Sequence, residues 1–106
     1  MKVKLEGREY ELKANGRFLL KYQEIFKANA VVDLYKSISE KDLLLTEKLT
    51  YCAINEELSF EEWLDSFETP LFLMPYMDSI LEYLIVGVDP SVKAEKKSDE
   101  KKTTNN

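Results

Sequence analysis

The sequence predicts an α+β fold that is mostly α, with an N-terminal β-hairpin followed by four to five helices. Apolar and charged residues alternate over 2–13, which is the period of a strand. After residue 16, apolar residues recur every three or four positions, which is the period of a helix. Only three glycines and three prolines interrupt the 106 residues. A chain of this length is expected to form one domain, predicted over 1–90.

The hairpin is predicted over residues 2–13. One face of it is apolar and consists of Val3, Leu5, Tyr10 and Leu12. Glu6-Gly7 is the predicted turn, because glycine readily adopts the positive φ that a tight hairpin turn requires. A lone hairpin is only marginally stable in water, so its apolar face is expected to pack on the rest of the chain or on a partner.

Five helical segments are predicted after the hairpin. Their ranges are about 16–29, 31–38, 40–57, 60–68 and 70–87. Ser39 is the predicted N-cap of the third helix, and Ser59 with Glu62 forms a capping box at the start of the fourth. Pro75 lacks the amide hydrogen of a continuing helix, so the last segment is expected to break or kink near Met74.

Charge is distributed unevenly along the chain. The formal net charge is −5, but the lysine-rich C-terminal end carries a surplus of +2, so residues 1–91 carry −7. Residues 91–106 are predicted to be a disordered tail, because they have too few apolar side chains to offset the entropy of ordering. Nucleic-acid binding requires a basic face, and the acidic body argues against it.

Residue types that serve most catalytic and metal sites are missing or isolated. The chain has no histidine and one cysteine, Cys52, so neither a Ser-His-Asp triad, a Cys/His pair nor a histidine-based zinc site can be built. Cys52 is interpreted as a buried helix residue. One mixed polar cluster is interpreted as solvated surface, formed by Lys13, Asn15, Arg17 and Glu24. We therefore expect no enzyme activity, no cofactor and no metal.

The N-terminus is charged from Lys2 onward and lacks the apolar run of a signal peptide. An intracellular location is therefore expected.

The most apolar stretch is "PLFLMPYMDSILEYLIVGV", at 70–88. A membrane span requires about 20 nearly uninterrupted apolar residues, and Asp78 and Glu82 form a polar strip here, so a membrane-spanning role is rejected. Two interpretations stay open: a central helix within its own core, or an edge that docks another protein or a second copy. The candidate partner-binding residues are Trp63, Phe67, Leu71, Phe72, Met74 and Met77.

The opening "MKVKLEGREYELKANGRFLLKYQEIF" resembles that of the tail assembly chaperones of long-tailed siphophages of Gram-positive hosts. The shared features are a short strand, a Gly-centred turn, a strand with Tyr and Leu, and a Gly followed by a helix of the form Phe-x-x-x-Tyr-x-x-x-Phe. The resemblance continues through "AVVDLYKSI" and covers about residues 1–88.

This resemblance implies a phage or prophage protein that is made in the host cytoplasm and is absent from the mature virion. It would coat the tape measure protein, keep it soluble, and help to recruit tail-tube subunits during tail assembly. The family has no catalytic residues to carry over. Members are often made in two lengths by a translational frameshift, and the codons of Lys96-Lys97 or Lys101-Lys102 could encode the slippery run.

An alternative class of function is a small structural or regulatory module. The chain would then be a homo-oligomeric phage head–tail component or a cytoplasmic protein-binding adaptor. Self-association would bury residues 70–88 between identical copies, whereas a chaperone would keep part of this surface exposed for its client.

Overall fold

The computed structural model describes residues 1–92. The fold class is α+β and mostly α, as predicted. The strands are β1 (Lys2–Leu5) and β2 (Arg8–Glu11), and the α-helices are α1 (Gly16–Phe26), α2 (Ala30–Glu40), α3 (Leu43–Ala53), α4 (Phe60–Asp65) and α5 (Met77–Val88). A short 3₁₀ helix, Met74–Tyr76, directly precedes α5.

β1 and β2 form an antiparallel hairpin in which Val3 pairs with Tyr10 and Leu5 with Arg8. Glu6 and Gly7 connect the strands with φ values of 49° and 81°. Two consecutive positive φ values are typical of a type I′ turn, so the predicted turn is confirmed. Val3, Leu5 and Leu12 are buried and Tyr10 is half-buried, so the predicted apolar face packs on the helices.

The boundary between α2 and α3 corrects a predicted helix start. Ser39 lies inside α2, and the N-cap of α3 is Asp42, whose carboxylate accepts a hydrogen bond from the Leu45 amide at 3.1 Å. Lys41 adopts a left-handed conformation with φ of 52°, which ends α2 and separates it from α3. The predicted helix over 40–57 therefore joined the end of α2 to α3. It also ran past the true end of α3, because Ile54 is extended.

The predicted capping box of α4 is confirmed. Ser59 Oγ accepts from the Glu62 amide, and the Glu62 carboxylate accepts from the Ser59 amide. The helix ends at Asp65, earlier than the predicted 68. Ser66 Oγ donates to the Trp63 carbonyl at 2.6 Å, and Arg8 binds both Ser66 Oγ and the Ser66 carbonyl oxygen. These bonds supply partners to polar groups at the end of the helix.

The last predicted helix, 70–87, is wrong in its first part. Residues 70–73 form turns, and the Thr69 hydroxyl accepts a hydrogen bond from the Leu71 amide at 3.2 Å instead of starting a helix. The predicted break at Pro75 is confirmed, since Pro75 lies in the 3₁₀ helix and α5 begins at Met77. Few residues lie between Thr69 and Pro75, and so short a helix would gain few hydrogen bonds for the residues that its nucleation fixes.

α5 packs against α2 and α3. Its buried face consists of Met77, Ile80, Leu81, Leu84 and Ile85. Asp78 and Glu82 are exposed at the edge of this face, which confirms the polar strip expected there. Within residues 1–92, no helix combines the length and apolar character required to cross a bilayer.

The predicted disordered tail lies outside the described residues from 93 onward. The Ser91 amide donates to the Asp89 carboxylate, and the Val92 amide donates to the Asp89 carbonyl oxygen. Residues 90–92 are helical, so regular structure continues past the predicted domain boundary at residue 90.

Candidate functional site

The structure divides the six predicted partner-binding residues into two groups. Trp63, Phe67, Phe72 and Met77 are buried in the core of their own chain. Leu71 and Met74 are 51% and 53% exposed. The six residues therefore do not form one docking edge in this conformation, and only Leu71 and Met74 are available to a partner.

An aromatic cluster accounts for the burial of three of these residues. The Phe67 and Phe72 rings stack with centroids 3.7 Å apart, and Trp63 meets both of them edge to face. Tyr10 from the hairpin and Tyr51 from α3 contact the Trp63 ring. Such aromatic pairs add stability beyond the area that they bury. The cluster thus joins the hairpin, α3, α4 and the segment before α5.

Hydrogen bonds from the hairpin turn hold this segment in place. The Glu6 carboxylate accepts from the amides of Glu68 and Thr69 at 2.9 and 3.2 Å. The Arg8 guanidinium donates to Ser66 and lies over the Phe67 ring at 4.3 Å. Leu71 and Met74 are consequently presented outward from a fixed support, and the Met74 amide donates to the Leu71 carbonyl at 3.1 Å.

Acidic side chains border Leu71 and Met74 along the chain. Glu61 and Asp65 are exposed and four residues apart on α4, and Glu68 is exposed in the following turn. Their carboxylates form no ion pair with any of residues 1–92. We call the five residues Glu61, Asp65, Glu68, Leu71 and Met74 the acidic-apolar surface.

The sequence contains a signal for this surface that pattern analysis missed. Residues 1–48 contain ten Lys and Arg and eight Asp and Glu, whereas residues 49–92 contain nine Asp and Glu and no Lys or Arg. The net charge of −7 therefore combines a slightly basic first part with a second part of −9. Glu61, Asp65 and Glu68 therefore have no Lys or Arg close to them in sequence.

A polar groove of about 530 Å³ lies between β2, the start of α1 and the end of α3. Three residues of the predicted polar cluster, Lys13, Asn15 and Arg17, line it, whereas Glu24 lies in another depression. Lys21 also lines the groove, but its ammonium donates to the Ile54 carbonyl and lies 4.7 Å from the Tyr51 ring. Its role is therefore explained by packing.

The groove contains no activated nucleophile among the residues that line it. Cys52 is buried in α3, and desolvation raises the pKa of its thiol to about 12, so the thiol stays protonated at neutral pH. Within residues 1–92, no group of three His, Cys, Asp or Glu side chains is placed to hold a metal ion. The groove therefore offers no argument for catalysis.

Burial raises the pKa of two further side chains, Tyr22 and Glu47. The Tyr22 hydroxyl donates to the Asp33 carboxylate at 2.7 Å and links α1 to α2, and burial together with this bond raises the pKa of Tyr22 above its usual value. Glu47 is 7% exposed on α3, and desolvation raises the pKa of its carboxyl to about 7.

Comparison with protein-family models, curated proteins and solved structures finds no match to this chain. The resemblance of the opening residues to phage tail assembly chaperones therefore stays a prediction.

Proposed function

We propose that this protein is a phage or prophage tail assembly chaperone that binds and solubilises the tape measure protein and helps to recruit tail-tube subunits. It would act in the host cytoplasm and leave before the virion is complete. The observation that carries the proposal is the pair of exposed side chains, Leu71 and Met74, held outward by a buried aromatic cluster.

The physical properties of this surface suit a solubilising role. A rigid apolar pair can cover an apolar stripe on a helical client, because helices are commonly recognised through anchors three or four residues apart. Methionine adapts to different partners through its flexible, polarisable side chain. The surrounding acids would keep the complex charged, and a net charge far from zero opposes aggregation.

A second candidate function, a self-associating structural component or adaptor, is favoured by a different surface. Val32, Tyr35 and Ile38 lie three residues apart on α2 and are all exposed, with Val32 at 62%. Ile38 also borders a shallow groove of about 270 Å³ together with Leu81 and Ile85 of α5. An exposed apolar stripe of this kind is typical of protein interfaces.

Affinity capture during phage or prophage induction would distinguish the two functions. The tagged full chain is isolated from cells that express the phage tail genes, and co-purified proteins are identified by mass spectrometry. The chaperone function predicts recovery of one very long, mostly helical protein encoded with the tail genes. Recovery of the chain alone at one fixed stoichiometry would contradict it and would favour the structural component.

Variants assign the interaction to a surface. Leu71→Asp/Met74→Asp should abolish capture of the long helical protein. The matched control is Leu20→Asp/Ile25→Asp, since these α1 side chains are also exposed, at 58% and 43%. Val32→Asp/Ile38→Asp should abolish any self-association through α2. Circular dichroism should show that all three variants keep the helical content of the parent.

A further inference from the structure

We propose that the acidic-apolar surface binds a basic amphipathic helix, in which an apolar stripe is flanked by Lys or Arg. This inference rests on the proposed function and specifies the class of client segment that the chain would recognise. Its basis is the combination of an exposed apolar pair with carboxylates that form no ion pair within residues 1–92, on two consecutive segments that aromatic contacts join.

The first step of the argument concerns rigidity. α4 carries Glu61 and Asp65, and the segment after it carries Leu71 and Met74. The two are joined by the stacked Phe67 and Phe72 rings and by the edge-to-face contact of Trp63 with Phe72 at 5.4 Å. A partner would therefore meet a preformed surface, which lowers the entropy lost on binding.

The second step concerns charge. Glu61 and Asp65 are four residues apart on α4, and like charges at this spacing repel each other on a helix. The Arg8 guanidinium donates to Ser66 and lies over the Phe67 ring, and it forms no ion pair with Glu61 or Asp65. Lys or Arg side chains of a partner would relieve this repulsion, and they would also steer the partner to this surface.

The third step identifies the occupant. Leu71 and Met74 offer a narrow apolar contact, which matches the stripe of an amphipathic helix better than a broad flat interface. The carboxylates of Glu61, Asp65 and Glu68 would repel nucleic acid and an anionic membrane. A basic amphipathic helix satisfies both the apolar and the charged parts of the surface.

Binding of defined peptides to the full chain tests this proposal. The probe is a fluorescent peptide of about 18 residues with leucines on one helical face and lysines on the other. One matched peptide has Glu in place of each Lys, and another has the same composition in an order that destroys the apolar face. We expect binding of the probe only, and its affinity should fall several-fold as salt rises from about 50 to about 500 mM.

Charge-reversed variants locate the binding. Glu61→Lys/Asp65→Lys should weaken binding of the probe roughly three- to tenfold, because two exposed ion pairs become repulsive contacts. The control Glu24→Lys/Glu40→Lys has the same net charge, and its exposed positions lie on α1 and α2. Its effect should be much smaller. Equal effects of the two variants would show general electrostatic attraction and overturn the proposal.

Truncation of the apolar pair provides the second readout. Leu71→Ser/Met74→Ser should weaken binding of the probe roughly tenfold, whereas Leu20→Ser/Ile25→Ser should leave it unchanged. Equal affinity for the peptide without an apolar face would overturn the proposal. Sedimentation of the chain alone gives another test. If the parent is a dimer and Leu71→Ser/Met74→Ser is a monomer, a second copy occupies this surface and the proposal is overturned.

The outcomes for the client class and for the proposed function can be told apart. Specific binding of the probe without capture of a long helical protein from induced cells would retain this surface and reject the chaperone function. In the converse case, Glu61→Lys/Asp65→Lys captures the long helical protein as efficiently as the parent does, and the parent shows no preference for the basic peptide. That result would reject the basic amphipathic helix as the client class but would leave the chaperone function in place.

Discussion

Residues 1–48 and residues 49–92 differ in how they use charge. The first region mixes ten basic with eight acidic side chains and contains the one buried acid, Glu47. In the second region all nine charged side chains are acidic, and each is exposed or half-buried. Both regions contribute to the apolar core, and the second contributes Trp63, Phe72 and the buried face of α5.

Contacts between the regions show that opposite charge is not what joins them. Arg8 binds Ser66 and the Phe67 ring, and Lys21 binds the Ile54 carbonyl and the Tyr51 ring. Lys41 and Asp78 form an ion pair at 3.7 Å, but both side chains are largely exposed and such pairs contribute little. Aromatic packing and hydrogen bonds to the backbone join the regions, and Glu61, Asp65 and Glu68 form no ion pair with any of residues 1–92.

Trp63→Ala should have the largest effect on this union of the two regions. It removes the ring at the centre of the aromatic cluster and should lower the free energy of unfolding by about 3–5 kcal/mol, measured by urea denaturation. Trp63→Phe is the control, because the indole N–H has no hydrogen-bond acceptor among residues 1–92. If Trp63→Phe lowers the free energy of unfolding as much as Trp63→Ala does, packing of an aromatic ring at this position is not what stabilises the fold.

Glu47→Gln tests the buried acid of the first region. Burial raises the pKa of Glu47 from 4.5 to about 7, so the folded state binds this proton more tightly than the unfolded chain. The contribution of Glu47 to stability is therefore present below about pH 4.5 and is lost as pH rises through about 7. Glu47→Gln should remove this loss, which we expect to be roughly 2–3 kcal/mol.

Urea midpoints at about pH 5 and about pH 8 measure this difference. Glu61→Gln is the matched control from the second region, because Glu61 is exposed. The interpretation would be contradicted if the parent and Glu47→Gln lost the same stability between the two pH values.

Gly87→Ala tests the close approach of α5 to the hairpin region. An added Cβ would lie 2.5 Å from Ala14 Cβ and 3.3 Å from the Ala14 carbonyl oxygen. We expect a loss of roughly 1–3 kcal/mol in the free energy of unfolding, although alanine is the better helix former. Ala14→Gly in the same chain should recover much of this loss. A more stable Gly87→Ala protein would show that the contact is loose.

Glu6→Gln tests the weakest of these links between the regions. Gln offers one neutral oxygen to the amides of Glu68 and Thr69, which now bind a carboxylate. The expected loss is about 0.5–1.5 kcal/mol, measured as a shift of the urea midpoint. Glu9→Gln should change stability less, because Glu9 is exposed and makes only a 3.9 Å ion pair with Lys2. Equal losses in both variants would show that the Glu6 carboxylate does not stabilise the segment that contains Glu68 and Thr69.

The fold class and several local features could be predicted from the sequence. The Glu6-Gly7 turn, the capping box at Ser59 and the break at Pro75 all follow from contacts among residues close together in the chain. The predicted start of α3 was wrong because both Ser39 and Asp42 can cap a helix, and the structure uses Asp42. The left-handed Lys41, which separates the two helices, has no marker such as glycine.

The candidate site could be predicted only in part. Sequence alone determined that residues 63–77 are rich in large apolar side chains and that residues 49–92 contain no Lys or Arg. Tertiary structure decided that Phe72 is buried while Leu71 and Met74 are exposed. The physical reason is that this choice depends on contacts with distant residues. Glu6 binds the Thr69 amide and Arg8 binds Ser66, across 63 and 58 positions of the chain. The local sequence therefore does not show which of the apolar side chains near these residues will be buried.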